Sequence, residues 1–429
     1  ATLDFSGRAI TISESDNIDI AASSATGALA ITAGGPITQS GAIDADSTAS
    51  FDAGGNVITL NSEANDFSGA VSLTNTGTNN VTIDDANDLV LGTISIAAGD
   101  LNVDNAGTIT QTGTVSVGGN TVLDNSGGDN AVITLANENN VFTGTVTFTT
   151  DTGSDISIAD TTAFDLAALA VNKLTVSAGG DITDSGVLDI GTTASFTTTA
   201  ANGNVVLDQA SDIDGALSIT THGTGTSSVT NLTDAIELGT ITSAQLTVAA
   251  GGDITQSGAA TITGDASFSA GGNVITLNSE GNDFTGAVSL TNTGTNNITI
   301  DDANDLVLGT ISIAAGDLNV DNAGTITQTG IVSVGGNTVL DNSGGDNADI
   351  TLANENNVFT GTVTFNTDTG SDISIADTTA FDLAALAVNK LTVSAGGDIT
   401  DSGVLDLGTT ASFTTTAANG NVVLDQASD

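Results

Sequence analysis

The sequence predicts an all-β fold: a right-handed parallel β-helix (β-solenoid) of about 24 residues per coil and about 18 coils, drawn out as an elongated rod. Three observations predict it. Short apolar runs alternate with Thr, Ser, Asn and Asp, as half-buried strands do. Those runs return at near-equal spacing. Whole blocks of the chain then repeat.

Composition supports each of these. The 429 residues include 52 Gly but one Pro, no Cys, Met, Trp or Tyr, and 13 Phe. Apolar residues make up 39%, so a core exists and must come from Val, Ile, Leu, Ala and a few Phe. With Thr, Asn, Asp and Gly, these residues favour many short strands joined by tight turns. Cysteine chemistry is excluded, whether disulfide, thiolate metal site or nucleophile. No apolar run approaches the ~20 residues that a membrane-spanning helix needs.

Charge narrows the partners. Asp and Glu number 51 against three basic residues, Arg8, Lys173 and Lys390, for a net charge of −48. A nucleic-acid partner needs a basic footprint, which is lacking, and anionic membrane surfaces are excluded on the same ground. On the expected rod the charge density is about one per 1.8 Å, comparable to duplex DNA, which draws in counterions.

Repetition occurs at two scales. Residues 51–212 return as 268–429, an offset of 217, with eight differences in 162 positions. Each such unit divides by three, giving modules at 29–100, 101–173 and 174–245, then 246–317, 318–390 and a partial 391–429. Residues 1–28 read as the end of a preceding module. The chain starts and stops inside this pattern, so it reads as a stretch of a longer protein. Every module carries a fixed phrase, at Ile37 (ITQSG), Ile109 (ITQTG) and Ile182 (ITDSG). A second phrase sits mid-module, at Asn65 (NDFSG) and Asn140 (NVFTG).

Strand anchors fall at Leu29, Phe51, Val71, Leu101, Val122, Val146, Leu174, Phe196, Leu217 and Leu246. Nine steps across one full unit set the expected coil length, and the third step of each module is the longest. Each module is therefore expected to end in a coil bearing a loop, and a unit to advance ~43 Å. All but one of the eight differences fit alternation, the exception being Thr114 to Ile331. Val132 becomes Asp349 beside inward Ile133, and Thr149 becomes Asn366 beside inward Phe148. Ile331 is expected to point outward. The Leu-Ala-rich segment 162–173 has helical propensity, but its repeat context predicts strand.

Phrases such as Leu246 to Gly258 (LTVAAGGDITQSG) and Asn282 to Leu290 (NDFTGAVSL) resemble repeats of giant bacterial exoproteins of the filamentous-haemagglutinin-like type. The resemblance spans essentially the whole chain. It implies a right-handed parallel β-helix, export to the cell surface, and adhesive or structural roles.

One carboxylate cluster qualifies as a candidate metal site: Asp84, Asp85 and Asp88, repeated as Asp301, Asp302 and Asp305. Three carboxylates and an amide suit a hard cation such as Ca²⁺, and a solvated acidic turn has the same composition. No cofactor is required; Ca²⁺ or diffuse divalent cations are the ions to expect. His222, the one histidine, reads as a loop residue rather than a base, and no catalytic or cofactor-binding residue is expected. Adjacent carboxylates on a strand face opposite ways, which argues against a polysaccharide-active enzyme. The expected function is a structural repeat of a secreted or cell-surface bacterial fibre, stalk or matrix protein. The alternative is an adhesin that itself binds a host or neighbouring-cell receptor. Expected partners are other copies of the chain, end to end or laterally, and a surface receptor or polysaccharide in the second reading.

Overall fold

The computed structural model describes residues 2–426; Ala1 and 427–429, the outermost positions of the first and last segments, lie outside the described residues. The chain divides into two compact units, Ala1–Gly215 and Ala216–Asp429. The fold is an all-β parallel solenoid, without helix among the described residues, of about 20 residues to the turn and about 21 turns.

In the first unit one turn is easily followed. Leu89–Ile96 runs around a corner, and its second half forms one side of the turn; Leu101–Asn105 forms the next and Ile109–Gln111 the third. Val115–Val117 then lies back over Ile94 to Ile96. Each turn thus has three strand stations. The first station stacks Ile10, Leu29, Ala49 and Val71 in register. The second stacks Ile18, Ile37, Ile58, Val81, Leu101, Thr121 and Val146. The third stacks Leu89, Ile109, Ile133, Ile156, Leu174 and Ala194.

The core follows from the period-two pattern. Val71–Asn75 alternates buried and half-exposed residues, as do Val81–Asp85 and Ala194–Thr198. Parallel stacking in register puts like residue over like, so Ile37, Ile58, Val81 and Leu101 form one apolar column, all without exposure. Phe51 and Phe67 meet edge to face at 6.1 Å inside the first unit, and Phe268 and Phe284 repeat the pair in the second. The segment 162–173 folds as two short strands and no helix, Phe164–Leu166 and Leu169–Val171, both in register with later strands. Asp349 and Asn366 are exposed as the alternation required, and Ile331 is 42% exposed.

The observed turn is shorter than the coil of about 24 residues that the anchors suggested, and the turns outnumber the expected 18 or so. Neighbouring turns differ in length, from the short one that pairs Thr2 with Asp19 to the long one that pairs Thr121 with Val146. The expected length came from treating ten anchors as ten positions on one face. The long step from Val71 to Leu101 is no loop-bearing coil. Val71 has its partner at Leu91 on the neighbouring turn, whereas Leu101 belongs to the second station above Val81. That step is one turn plus one station. Val122 is also displaced by one, since Thr121 and Leu123 are buried and Val122 faces outward.

Leu29, Leu101 and Leu174, which open successive modules, therefore occupy the first, second and third stations. One module covers three turns and a third. Within the second unit, Leu318 pairs with Ile298 and Leu391 with Ile373, the same registers one full repeat further along.

Candidate functional site: carboxamide corners and an acidic edge

The two fixed phrases meet. Gln39 of the first phrase and Asn65 of the second form a reciprocal carboxamide pair: Gln39 Nε2 donates to Asn65 Oδ1 at 2.8 Å, and Asn65 Nδ2 to Gln39 Oε1 at 3.1 Å. Asn65 is fully buried. Its Nδ2 also donates to the carbonyls of Leu60 and Asp84, and its Oδ1 accepts from the Ile43 N–H at 2.9 Å. One side chain so ties together three successive turns at a corner where the ladder is interrupted. Gln111 and Asn140 repeat the bracket in the next module, with Val115 donating to Asn140 Oδ1. In the third module Asp184 and Ser211 replace the amides: Ser211 Oγ accepts from Leu188 N–H, and Asp184 accepts from Asp208 and Gln209 N–H. Gln256 with Asn282 and Gln328 with Asn357 serve the second unit.

The glycine that ends each first phrase has a steric cause. A Cβ on Gly41, Gly113 or Gly186 would run into the backbone of the turn beneath.

The candidate metal ligands do not converge. Asp84 is half-buried and faces out, Asp85 is 3% exposed and faces in, and Asp88 is exposed at the following corner, where it accepts from Thr108 N–H at 2.8 Å. Asp301, Asp302 and Asp305 take the same places, and Asp305 accepts from Thr325 N–H. Among the described residues no group of three or more His, Cys, Asp or Glu is placed to hold a metal ion.

The outward members instead line up across turns. Asp84, Asp104 and Asp124 are register partners, as are Asp301, Asp321 and Asp341. Burial, then the charges of Asp104 and Glu63, push Asp84 up to about 6. Asp104 is raised by burial and by Asp124 and Glu63. Asp301 is raised likewise by burial, Asp321 and Glu280. At Asp341 burial acts upward too, but hydrogen bonds from Ser343 and Asn366 outweigh it and hold the carboxyl below its ordinary value. The edge of the second unit borders a cleft of about 250 Å³, lined by Glu280, Asp301, Asp302, Asp321 and Asn322 among others.

Two further grooves are shallow and built from small residues. Ala30, Ser50, Ser72, Gly92, Thr93 and Thr112 line one of about 390 Å³. Thr247, Ser267, Ser289, Gly309, Thr310 and Thr329 line its counterpart of about 360 Å³. They present mainly hydroxyls and methyls, with no aromatic side chain among the residues that line them, and the Asp265 carboxyl borders the second. His222 is exposed in a loop, where its carbonyl accepts from Gly225 N–H.

Sequence reasoning located both phrases but missed that they bond, and it missed the third bracket. The available signal was the joint occurrence of Gln39 with Asn65 and Gln111 with Asn140, each once per module.

Stacked strands and recurrent corner brackets define a solenoid repeat protein. The repeats match the family described as "Repeats of unknown function (DUF5649)" over residues 7–74, 78–149, 153–220, 224–291, 295–366 and 370–429, and the chain belongs to that family. No curated protein matches the chain, and neither does any solved structure.

Proposed function

We propose that this chain is a structural repeat segment of a secreted or cell-surface bacterial fibre, stalk or matrix protein, with no enzymatic activity. The observation that carries the reading is reuse: the same corner brackets recur in successive modules, and what they do is join one turn to the next. Each turn adds one strand spacing, ~4.8 Å, along the stacking direction. An enzyme or receptor site usually needs one differentiated place, and the grooves here come as near copies. The filamentous-haemagglutinin-like repeat style supports export and a surface location. The acidic edge keeps neighbouring copies apart until salt or divalent cations screen it. Partners in this reading are further copies of the chain, and a receptor or polysaccharide is the adhesin alternative.

Electron imaging of the purified chain, with and without a calcium chelator, tests the proposal. Filaments with an axial repeat of ~48 Å, or ~16 Å for one module, are expected from three and a third turns per module. This replaces the ~43 Å that a longer coil would give. Separate short particles that bind cells without assembling would overturn the fibre reading in favour of the adhesin.

A further inference from the structure

Asp85 and Asn105 are register partners on adjacent parallel strands, so their side chains lie one above the other on the inner side of the sheet. Both are buried, at 3% and 1% exposure. Asn105 Nδ2 donates to the carbonyls of Gly107 at 2.6 Å and Thr108 at 3.1 Å. Those two acceptors fix the amide, since a flip would set its oxygen against carbonyl oxygens. Its Oδ1 is left buried without a partner. On the other side, Asp85 Oδ1 accepts from Phe67 N–H at 3.4 Å, while Asp85 Oδ2 is also buried without a partner.

The second unit repeats this in every respect. Asp302 and Asn322 are register partners, each 1% exposed. Asn322 Nδ2 donates to Gly324 and Thr325 carbonyls. Asp302 Oδ2 and Asn322 Oδ1 lack partners. Two buried acceptors on register-paired residues, neither with a donor, are costly, and a proton on the carboxyl, a buried water or a cation supplies what is missing.

We propose that Asp85 and Asp302 are held as neutral carboxylic acids whose Oδ2–H donates to Asn105 Oδ1 and Asn322 Oδ1, making each pair a proton-operated latch between two turns. The pair offers two oxygens, which suits one proton. A calcium ion takes six to eight oxygen ligands, roughly, and the neighbouring Asp84 and Asp301 point to the opposite side of the strand.

The charged groups facing each latch act in the same direction. Asp85 has Asp66 on the preceding turn and Asp84 beside it, with Glu63 and Asp104 grouped around Asp84. Asp302 has Asp283, with Asp301, Glu280 and Asp321 alongside. The three basic residues, Arg8, Lys173 and Lys390, lie on other turns. Burial first, offset in part by main-chain hydrogen bonds and reinforced by Asp66, pushes Asp85 up to about 6; burial likewise pushes Asp302 up to about 7. A buried carboxyl kept neutral so that it can donate is an established device in proteins. Raising the pH past these values removes the donor and leaves an anion facing an amide oxygen. This inference stands apart from the fibre reading.

Infrared difference spectroscopy on the full chain tests it. The spectrum of the wild type minus that of the Asp85→Asn, Asp302→Asn double variant is expected to show a protonated-carboxyl band at pH 5.5 that fades by pH 8. Replacing the acceptors, by Asn105→Leu with Asn322→Leu or by the milder Asn105→Ser with Asn322→Ser, is expected to shift that band and lower its midpoint. A difference spectrum without the band at pH 5.5 would overturn the proposal. So would a band indifferent to both acceptor variants, which would leave the proton elsewhere. Loss of the band on adding millimolar Ca²⁺ at pH 5.5 would assign the site to a cation instead.

Discussion

Asn65 illustrates how much one buried amide does in this fold. It serves Gln39, the Ile43 N–H and the carbonyls of Leu60 and Asp84 at once. Asn65→Ala leaves these groups buried and unpaired, at about 1–3 kcal/mol for each unsatisfied group that water cannot reach. A loss on the order of 3 kcal/mol is expected, read as a lower urea midpoint for the first unit. Ser68→Thr, the change already present at Thr285, is the control and should stay within ~0.5 kcal/mol. The pairing was illegible in the sequence because its spacing varies: the separation is 26 between Gln39 and Asn65 but 29 between Gln111 and Asn140. Without the length of a turn, neither number announces a contact. The substitution of Asp184 and Ser211 hid the third bracket further, since a carboxylate and a hydroxyl do the work of two amides.

At the scale of strands and turns, close approach between stacked backbones decides where glycine is needed. A Cβ on Gly113 would stand 2.6 Å from the Gly92 carbonyl carbon and the Thr93 nitrogen, both main-chain atoms that have no room to yield. Gly113→Ala is expected to destabilise by ~1–3 kcal/mol, visible as a lower melting temperature. Gly54 needs glycine for a different reason, its φ of +56° in open space, and so reports backbone preference without a clash. Most elements could be read from the chain, because alternation holds along most strands, with breaks such as Leu91–Gly92 and Ile158–Asp160. Even the Leu-Ala run at 162–173 obeyed its repeat position over its propensity. What periodicity alone did not convey was which of three stations an anchor occupies. Leu29 and Leu101 look alike in sequence, yet they lie on different sides of the turn, and mistaking one for the other lengthened the expected coil. The carboxylates at 84, 85 and 88 do not share one face, since a strand sends neighbours to opposite sides.

Over the whole molecule the buried acids set an unusual pH response. Asp85, Asp160, Asp184, Asp302 and Asp377 are raised mainly by burial, and Asp84, Asp104 and Asp301 by burial with acidic neighbours. An acid raised in the folded state holds its proton there more tightly than in the unfolded chain, so stability falls as pH rises. The window opens near the ordinary carboxyl value of 3.8 and closes near the folded values, about 6 for Asp85 and about 7 for Asp302. The melting temperature is therefore expected to drop steadily between pH 4 and pH 7 and to level off above, by calorimetry at fixed ionic strength. A net charge of −48 adds self-repulsion at neutral pH. Sodium chloride should accordingly raise the melting temperature at pH 7.5 more than at pH 4.5. Equal salt responses at the two pH values would remove self-repulsion as a cause.

The third of a turn left over by each module also bears on inheritance. Copying a single module into such a gene would swing every side chain beyond the insertion round to the next side of the coil. Copying three together completes a whole number of turns and leaves each downstream surface looking where it did before. The sharpest duplication in this chain is the triple, with eight differences in 162 positions, while the modules inside it have drifted apart. Lineages that lengthen by the triple can grow without re-aiming what they display.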